Sequence, residues 1–512
     1  MSWLDRLDDW ANPIAVKELR QAVRGKFVAV ALILSLIGQL LAVAFLSVTT
    51  TLRTSMTAAV QPAGPTAFMM LYAVLFTVCI FLIPAYSGFR MAAERAEANI
   101  DLLFITTIKP RTIVFGKLTA IVALVVLLFS ASLPFLVFSY VLRGIDFISI
   151  MVLMVIALVM VISQSVVALF IGSLPASKPF KILLAAMFFL ATLMTYPPVL
   201  AFAGQVMRTG VGSFGMGGRF WAGFGAFVAW AVSIAAILLV ATIAMITPAV
   251  ANRALPIRLM VAVMWALAFA GAAVVAVGTA QPALLKAWAI GFTVLISLVL
   301  LSAAGERESW AARVARTIPR GGPRRALAFL FYSGSGGGIL WSLLFFAATI
   351  VFYNLAEGWA EKTYTVAVGN NITRGLADGA LCMLGYALTA AFLRRKLLTR
   401  IPPRVTWAIA LGLFLILSIV PSLIGFAMDA ETNRFGDYIQ LATMANPFPL
   451  SIRSAELRNW RTLMLIAWAV VGLMTNGPWI VQQAGRFRRF EPEGAEAVDW
   501  SSPLRLHQVR SE

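Results

Sequence analysis

The sequence predicts an all-α polytopic membrane protein of about 12 transmembrane helices with both termini cytoplasmic. Three observations carry that class. Of 512 residues, 61% are apolar and only 12% are charged, against roughly a quarter charged in water-soluble domains; mean hydropathy is +0.88. Apolar runs of roughly 20 residues, long enough to cross ~30 Å of hydrocarbon, recur along the chain. The 41 Lys and Arg residues fall into alternate connecting segments, 30 on the side of the N-terminus and 11 on the other. Basic residues stay cytoplasmic during insertion, so both ends are predicted inside. Acidic residues divide 14 and 8, leaving net charges of +16 inside and +3 outside. The formal charge of +19 is thus a topology signal that also suits anionic headgroups, and no nucleic-acid partner is expected.

The first element precedes the first span. In "NPIAVKELRQAVRGKF", residues 12–27, Asn12 can cap the free amides of a first turn, and Pro13 suits the first helical position because its missing N–H would be unpaired there anyway. At 100° per residue, Ala15, Val16, Leu19, Ala22 and Val23 share one side, with Lys17, Arg20, Gln21 and Arg24 opposite. Such a segment is either a helix lying in the membrane surface rather than crossing it or a solvated basic flank that only orients the next helix. The 26 residues ahead of the first apolar run are too polar and too long for a cleavable signal, so that run is expected to be an uncleaved anchor.

Twelve spans follow, at 27–49, 67–89, 118–142, 147–173, 180–203, 220–247, 259–279, 284–303, 338–355, 376–393, 405–427 and 462–482. The domain division that results is an interfacial helix (1–26), a transmembrane core (27–303) with a cytoplasmic loop (90–117), a cytoplasmic linker (304–337), a second bundle (338–482) and a cytoplasmic tail (483–512). Pro84, Pro134, Pro197, Pro198, Pro421 and Pro478 mark kinks within or near span ends. Trp221, Trp230, Trp341, Trp359, Trp460 and Trp479 read as parts of interfacial belts. Cys79 and Cys382 lie in apolar runs and read as packing residues.

Between the second and third spans, "GFRMAAERAEANIDLLFITTIKPRTIVFGKL" (88–118) is the most informative loop. Glu94, Glu97 and Asp101, three and four apart, form an acidic edge; Ala93, Ala96, Ile100, Leu103 and Phe104 form an apolar face opposite. Lys109 before Pro110 breaks that helix, and Arg111 to Lys117 leads into the third span. A passive tether would need only four to eight residues. An ordered helix with a charged edge suits either docking to a partner or an interfacial helix whose acidic face is solvated.

Together, "NPIAVKELRQAVRGK", two spans, "ERAEANIDLLFITTIKPRTIVFGKL" and a third span resemble the permease subunits of type-2 ABC exporters over residues 12 to about 140. The resemblance implies that Asn12, Pro13, Lys17, Glu18, Leu19 and Arg20 belong to an interfacial helix. It likewise implies that Glu94, Glu97, Leu102, Leu103, Thr107, Pro110, Gly116 and Lys117 belong to a coupling loop, which Asp101 and Arg111 complete. The implied function is ATP-driven export across the plasma membrane, in a bacterium the inner membrane, by an ABC transporter of which this chain is the permease. The implied partners are an ATP-binding cassette subunit, which would hold ATP and Mg, and a second permease or a second copy of this chain. Family permeases usually have six spans. Twelve are therefore two fused cores or one core with an extension; "LLTRIPPRVTWAIA" from 397 only faintly matches the first loop.

No G-x-x-x-x-G-K-[ST] phosphate loop occurs, so ATP hydrolysis is expected on the separate subunit, and no cofactor on this chain. The sole histidine, His507, lies in the polar tail, and no Cys or carboxylate cluster has metal-ligand spacing, so neither an enzyme nor a metal site is expected. Two alternatives remain, an ion-coupled secondary transporter and a non-transporting scaffold. The first calls for ionisable groups at membrane depth; Lys286 and Asp378 are read instead as end residues whose charge snorkels to the surface.

Overall fold

A computed structural model describes residues 13–56, 63–96, 109–213, 217–248, 251–279, 283–307, 309–364, 371–432, 437–447 and 454–489. The described residues form helices and connecting turns, with no strand among them. In chain order the helices are α1 (Pro13–Arg24), α2 (Lys26–Met56), α3 (Gly64–Ala96), α4 (Pro110–Val141), α5 (Phe147–Ser173), α6 (Lys178–Ser213), α7 (Gly217–Ile246), α8 (Ala254–Thr279) and α9 (Ala283–Ala304). Then come α10 (Ala312–Ala315), α11 (Gly322–Phe331), α12 (Ser335–Tyr364), α13 (Asn371–Lys396), α14 (Thr406–Phe414), α15 (Val420–Thr432), α16 (Asp437–Ala442) and α17 (Ala455–Arg486). A π-helical turn, Leu415–Ile419, joins α14 to α15 as one rod.

Twelve of these segments are long and apolar enough to cross a membrane, one for each apolar run of the sequence. The chain is an all-helical, multi-pass membrane protein. Its helices extend beyond the apolar runs: the second span continues through Glu94 as part of α3, so Glu94 sits in the last turn of a spanning helix rather than at the start of a separate one. The predicted helix ahead of Lys109 falls on 97–108, outside the described residues, but Lys109 itself has the non-helical backbone expected before proline. That residue is extended (ψ 141°) and Pro110 opens α4.

The described chain divides into two compact units. One comprises the described residues of 1–249, 253–292 and 351–372. Its core is built on α3, where Phe68, Leu71, Tyr72, Leu75, Phe76, Cys79, Ile80 and Ile83 are all buried. Their three-and-four spacing makes one continuous stripe along the helix. Burial on α3 is the highest of the unit's spans, so it is the central post, while α2 is peripheral and carries exposed Ile33, Leu34, Leu40, Leu41 and Phe45. In water such a surface would be prohibitive; on a spanning helix it is the face that meets lipid. Small residues let α3 and α5 touch: a Cβ on Gly172 would lie 2.6 Å from the Gly88 carbonyl oxygen. Gly210 takes φ 70°, a left-handed conformation that ends the regular part of α6.

The other unit comprises the described residues of 250–252, 293–350 and 373–512. There α13 and α17 are joined through Cys382, Tyr386, Leu465 and Trp468, with Gly385 and Gly472 admitting the Trp468 ring and Leu388. Asp378 is buried rather than snorkelling. It pairs with Arg461 at 2.9 Å, and both side chains are 4% exposed. Arg461 also donates to the Met444 and Asn446 carbonyls, and Thr462 donates to the other Asp378 oxygen (3.0 Å). The carboxylate and guanidinium satisfy one another, and the pair acts as a clamp. Two of the belt tryptophans are also interior: Trp341 is fully buried, and Trp479 is buried with Arg395 4.1 Å from its ring centroid. Trp221, Trp230, Trp359 and Trp460 are exposed.

Candidate functional site

The site is assembled where α1 meets the near ends of α3 and α4. Only Gly25 separates α1 from α2, so the amphipathic helix turns sharply into the first span. The line of α1 that enters the protein is Ala15, Glu18 and Ala22, at i, i+3 and i+7. Two small residues let the helix approach α4 closely, and the carboxylate between them is drawn inside. The bulky apolar residues point elsewhere: Val16 and Leu19 are half-buried and Val23 is 66% exposed, the side expected to enter lipid.

Glu18 is 6% exposed, and its desolvation is offset by two cations. Lys117 Nζ donates to Glu18 Oε1 at 2.8 Å, and Arg90 Nη2 reaches Oε2 at 3.4 Å. Lys117, itself 5% exposed, also pairs with Glu94 at 2.8 Å. Arg90 donates further to Gln21 Oε1, one turn along α1, and its guanidinium lies 5.7 Å from the Tyr86 ring centroid. Tyr86 in turn stacks on Phe27 at 4.2 Å. Burial alone would push the Glu18 carboxyl up; the Lys117 ammonium, its hydrogen bond and Arg90 outweigh that and hold it below the ordinary range. Two carboxylates and two cations therefore balance in one neutral cluster.

This cluster rests on an apolar base. Met91, Val114, Leu169 and Ile246 are buried together, drawing α5 and α7 to the same end, and Arg95 Nη1 donates to the Met245 carbonyl at the end of α7 (3.2 Å). That carbonyl belongs to a helix C-terminus, which has no intrahelical donor for it. Six helices, α1 to α5 and α7, thus converge on one joint.

Of the residues singled out in the sequence, Glu18, Glu94 and Lys117 are brought together here, with Gly116 buried beside Lys117. Pro13, Lys17, Arg20 and Arg111 are exposed, while Leu19 and Pro110 are half-buried. Asn12, Glu97, Asp101, Leu102, Leu103 and Thr107 lie outside the described residues. Arg90 and Tyr86 were not singled out in the sequence, and Gln21 was marked only as part of the polar side of its helix. A signal for Arg90 was present: it stands four residues before Glu94, hence on the same side of a helix. Within the cluster the Glu18 and Glu94 carboxylates and the Lys117 ammonium are paired, while the buried Arg90 Nε has no hydrogen-bond partner. The cluster ties α1 to α3 and α4.

Comparison with protein-family models, with curated proteins and with solved structures finds no match for this chain.

Proposed function

We propose that this chain is the membrane-spanning permease of an ATP-driven exporter of the type-2 ABC class, set in the plasma membrane with both termini cytoplasmic. A separate ATP-binding subunit, carrying ATP and Mg, engages the 90–117 segment. The observation that carries the reading is the joint around Lys117. Glu94 in the last turn of α3 pairs with Lys117 of α4 at 2.8 Å, and the same ammonium holds Glu18 of the amphipathic helix. A push on the segment is therefore delivered at once to α1, α3 and α4. The residue pattern over 12–140 supports the same reading independently.

The test is co-purification of the full chain with candidate ATP-binding subunits, comparing wild type with Glu97→Lys/Asp101→Lys and with Glu94→Lys added. The first variant reverses the acidic edge but leaves the described ion pairs intact, so its expected effect is loss of association with the joint preserved. Association that survives both variants would overturn docking at this segment. Transport by the purified chain with no ATPase present would replace this reading with an ion-coupled one.

A further inference from the structure

In the segment between α9 and α12, which the sequence marks as a cytoplasmic linker, the described residues are built around a small core. Trp310, Ile318, Phe329 and Tyr332 close on Phe487, which follows the last spanning helix; ring centroids of Trp310, Phe329 and Tyr332 lie 5.0, 5.4 and 5.6 Å from that of Phe487. Trp310 also donates to the Ser333 carbonyl. The two ends of the unit are registered by Gln483, whose Oε1 accepts from Gly336 N (2.9 Å) while its Nε2 donates to Ser335 Oγ (3.2 Å). Thus the start of the span in α12 and the end of the span in α17 stand at one level. By length and composition both helices can cross a membrane, so this level lies at the ends of two candidate spans.

The surface of this module is basic in a particular way. Residues 305–325 hold six arginines, no lysine and two glutamates, Glu306 and Glu308, and Phe487 is flanked by Arg486, Arg488 and Arg489. Arg313, Arg324, Arg486, Arg488 and Arg489 are all exposed. Among the described residues of 305–331 the only carboxylate is Glu306, which is occupied in accepting from Gly334 N. One turn from Arg324, on the same side of α11, Leu327 is 60% exposed. Topology alone would be served equally by lysine. A planar guanidinium differs in gripping phosphate oxygens through two parallel hydrogen bonds. Arginine beside an exposed leucine at the level where spans end is complementary to a phosphate with hydrocarbon below it.

We propose that the arginine surface formed by 305–325 and 486–489 binds the headgroups of anionic phospholipids in the leaflet on that side, with Leu327 entering the hydrocarbon. This surface is independent of any ATP-binding partner. The occupant is a membrane lipid rather than a soluble anion because the charges flank two helix ends that leave the bilayer.

The test uses the full chain, purified and stripped of lipid, then exposed to phosphatidylglycerol or phosphatidylcholine. Lipid retention is counted by native mass spectrometry and thermal stability is followed in parallel. Wild type is expected to retain phosphatidylglycerol at least about threefold over phosphatidylcholine, with enrichment falling at high salt. The variant Arg324→Gln/Arg486→Gln/Arg488→Gln/Arg489→Gln is expected to lose the enrichment. The corresponding four-lysine variant, which keeps the charge but not the fork, should fall between. If the glutamine variant does not fold, Arg313→Gln/Arg324→Gln, confined to exposed side chains outside the spans, takes its place with the same expectation. Equal retention of both lipids, enrichment unchanged in the glutamine variant, or equal stabilisation by inorganic phosphate or a short RNA would overturn the assignment.

Discussion

Replacing Glu18 with Gln removes one charge from the joint and leaves the side-chain shape nearly unchanged. Breaking a buried ion pair by deleting one partner typically costs 3–5 kcal/mol, mostly because the other charge is stranded. Here neither cation is stranded. Lys117 keeps Glu94 at 2.8 Å, on a carboxylate 22% exposed, and Arg90 is 30% exposed and keeps Gln21. The cost therefore falls below that range, at about 2 kcal/mol. It is borne locally, by the attachment of α1, because the core of the unit lies along α3 and α5 and does not include Glu18. Since 1.4 kcal/mol is a factor of ten, amides of 17–24 should exchange roughly 30-fold faster in the variant. Hydrogen exchange read by mass spectrometry on the full chain in nanodiscs measures this, with peptides from α17 as the internal control. Unchanged protection of α1, or equal loss in α17, would refute the idea that Glu18 pins α1 to the spans. The pH dependence has a definite sign. Because Glu18 is held below its ordinary value, its contribution is complete above the unfolded value of about 4.3 and is lost as pH falls through the folded value. Protection of α1 should thus be flat from about pH 5 to 8, weaken only in stronger acid, and show no such acid-dependent component from this site in the Gln variant.

Asp378→Asn leaves Arg461 buried with two carbonyl acceptors and no counter-ion; the expected loss is about 3 kcal/mol, seen as a lower melting temperature of the purified chain, and an unchanged value would show that the clamp is idle. Gly172→Val places a Cβ 2.6 Å from the Gly88 carbonyl and 2.9 Å from Met91 Cβ, neither of which is a flexible side-chain end. It should destabilise by about 3 kcal/mol or more, whereas Gly225→Ala, with no atom within 4 Å of the new methyl, should stay within about 0.5 kcal/mol. Thermal melts of the two variants side by side separate close helix packing from a general intolerance of side chains at glycine.

The twelve crossings were legible in one dimension, because the condition that creates a spanning helix is local. A backbone in hydrocarbon must satisfy its own hydrogen bonds, and a run of sufficient apolar length records that demand residue by residue. The amphipathic helix from Pro13 and the break before Pro110 were legible for the same reason: capping, ring geometry and periodicity act over one or two turns. Tertiary structure decided which charges matter. Glu18 and Lys117 are 99 positions apart, and Asp378 and Arg461 are 83 apart. Nothing in the local pattern marks the lone carboxylate of an otherwise basic helix as buried, or an aspartate near a span end as paired instead of snorkelling. Trp341 and Trp479 show the same limit, since a place near the end of an apolar run suits both a tryptophan at a lipid boundary and one packed between helices. Burial of a charge depends on whether a distant helix brings the opposite charge within about 3 Å, and only the packing of the helices settles that.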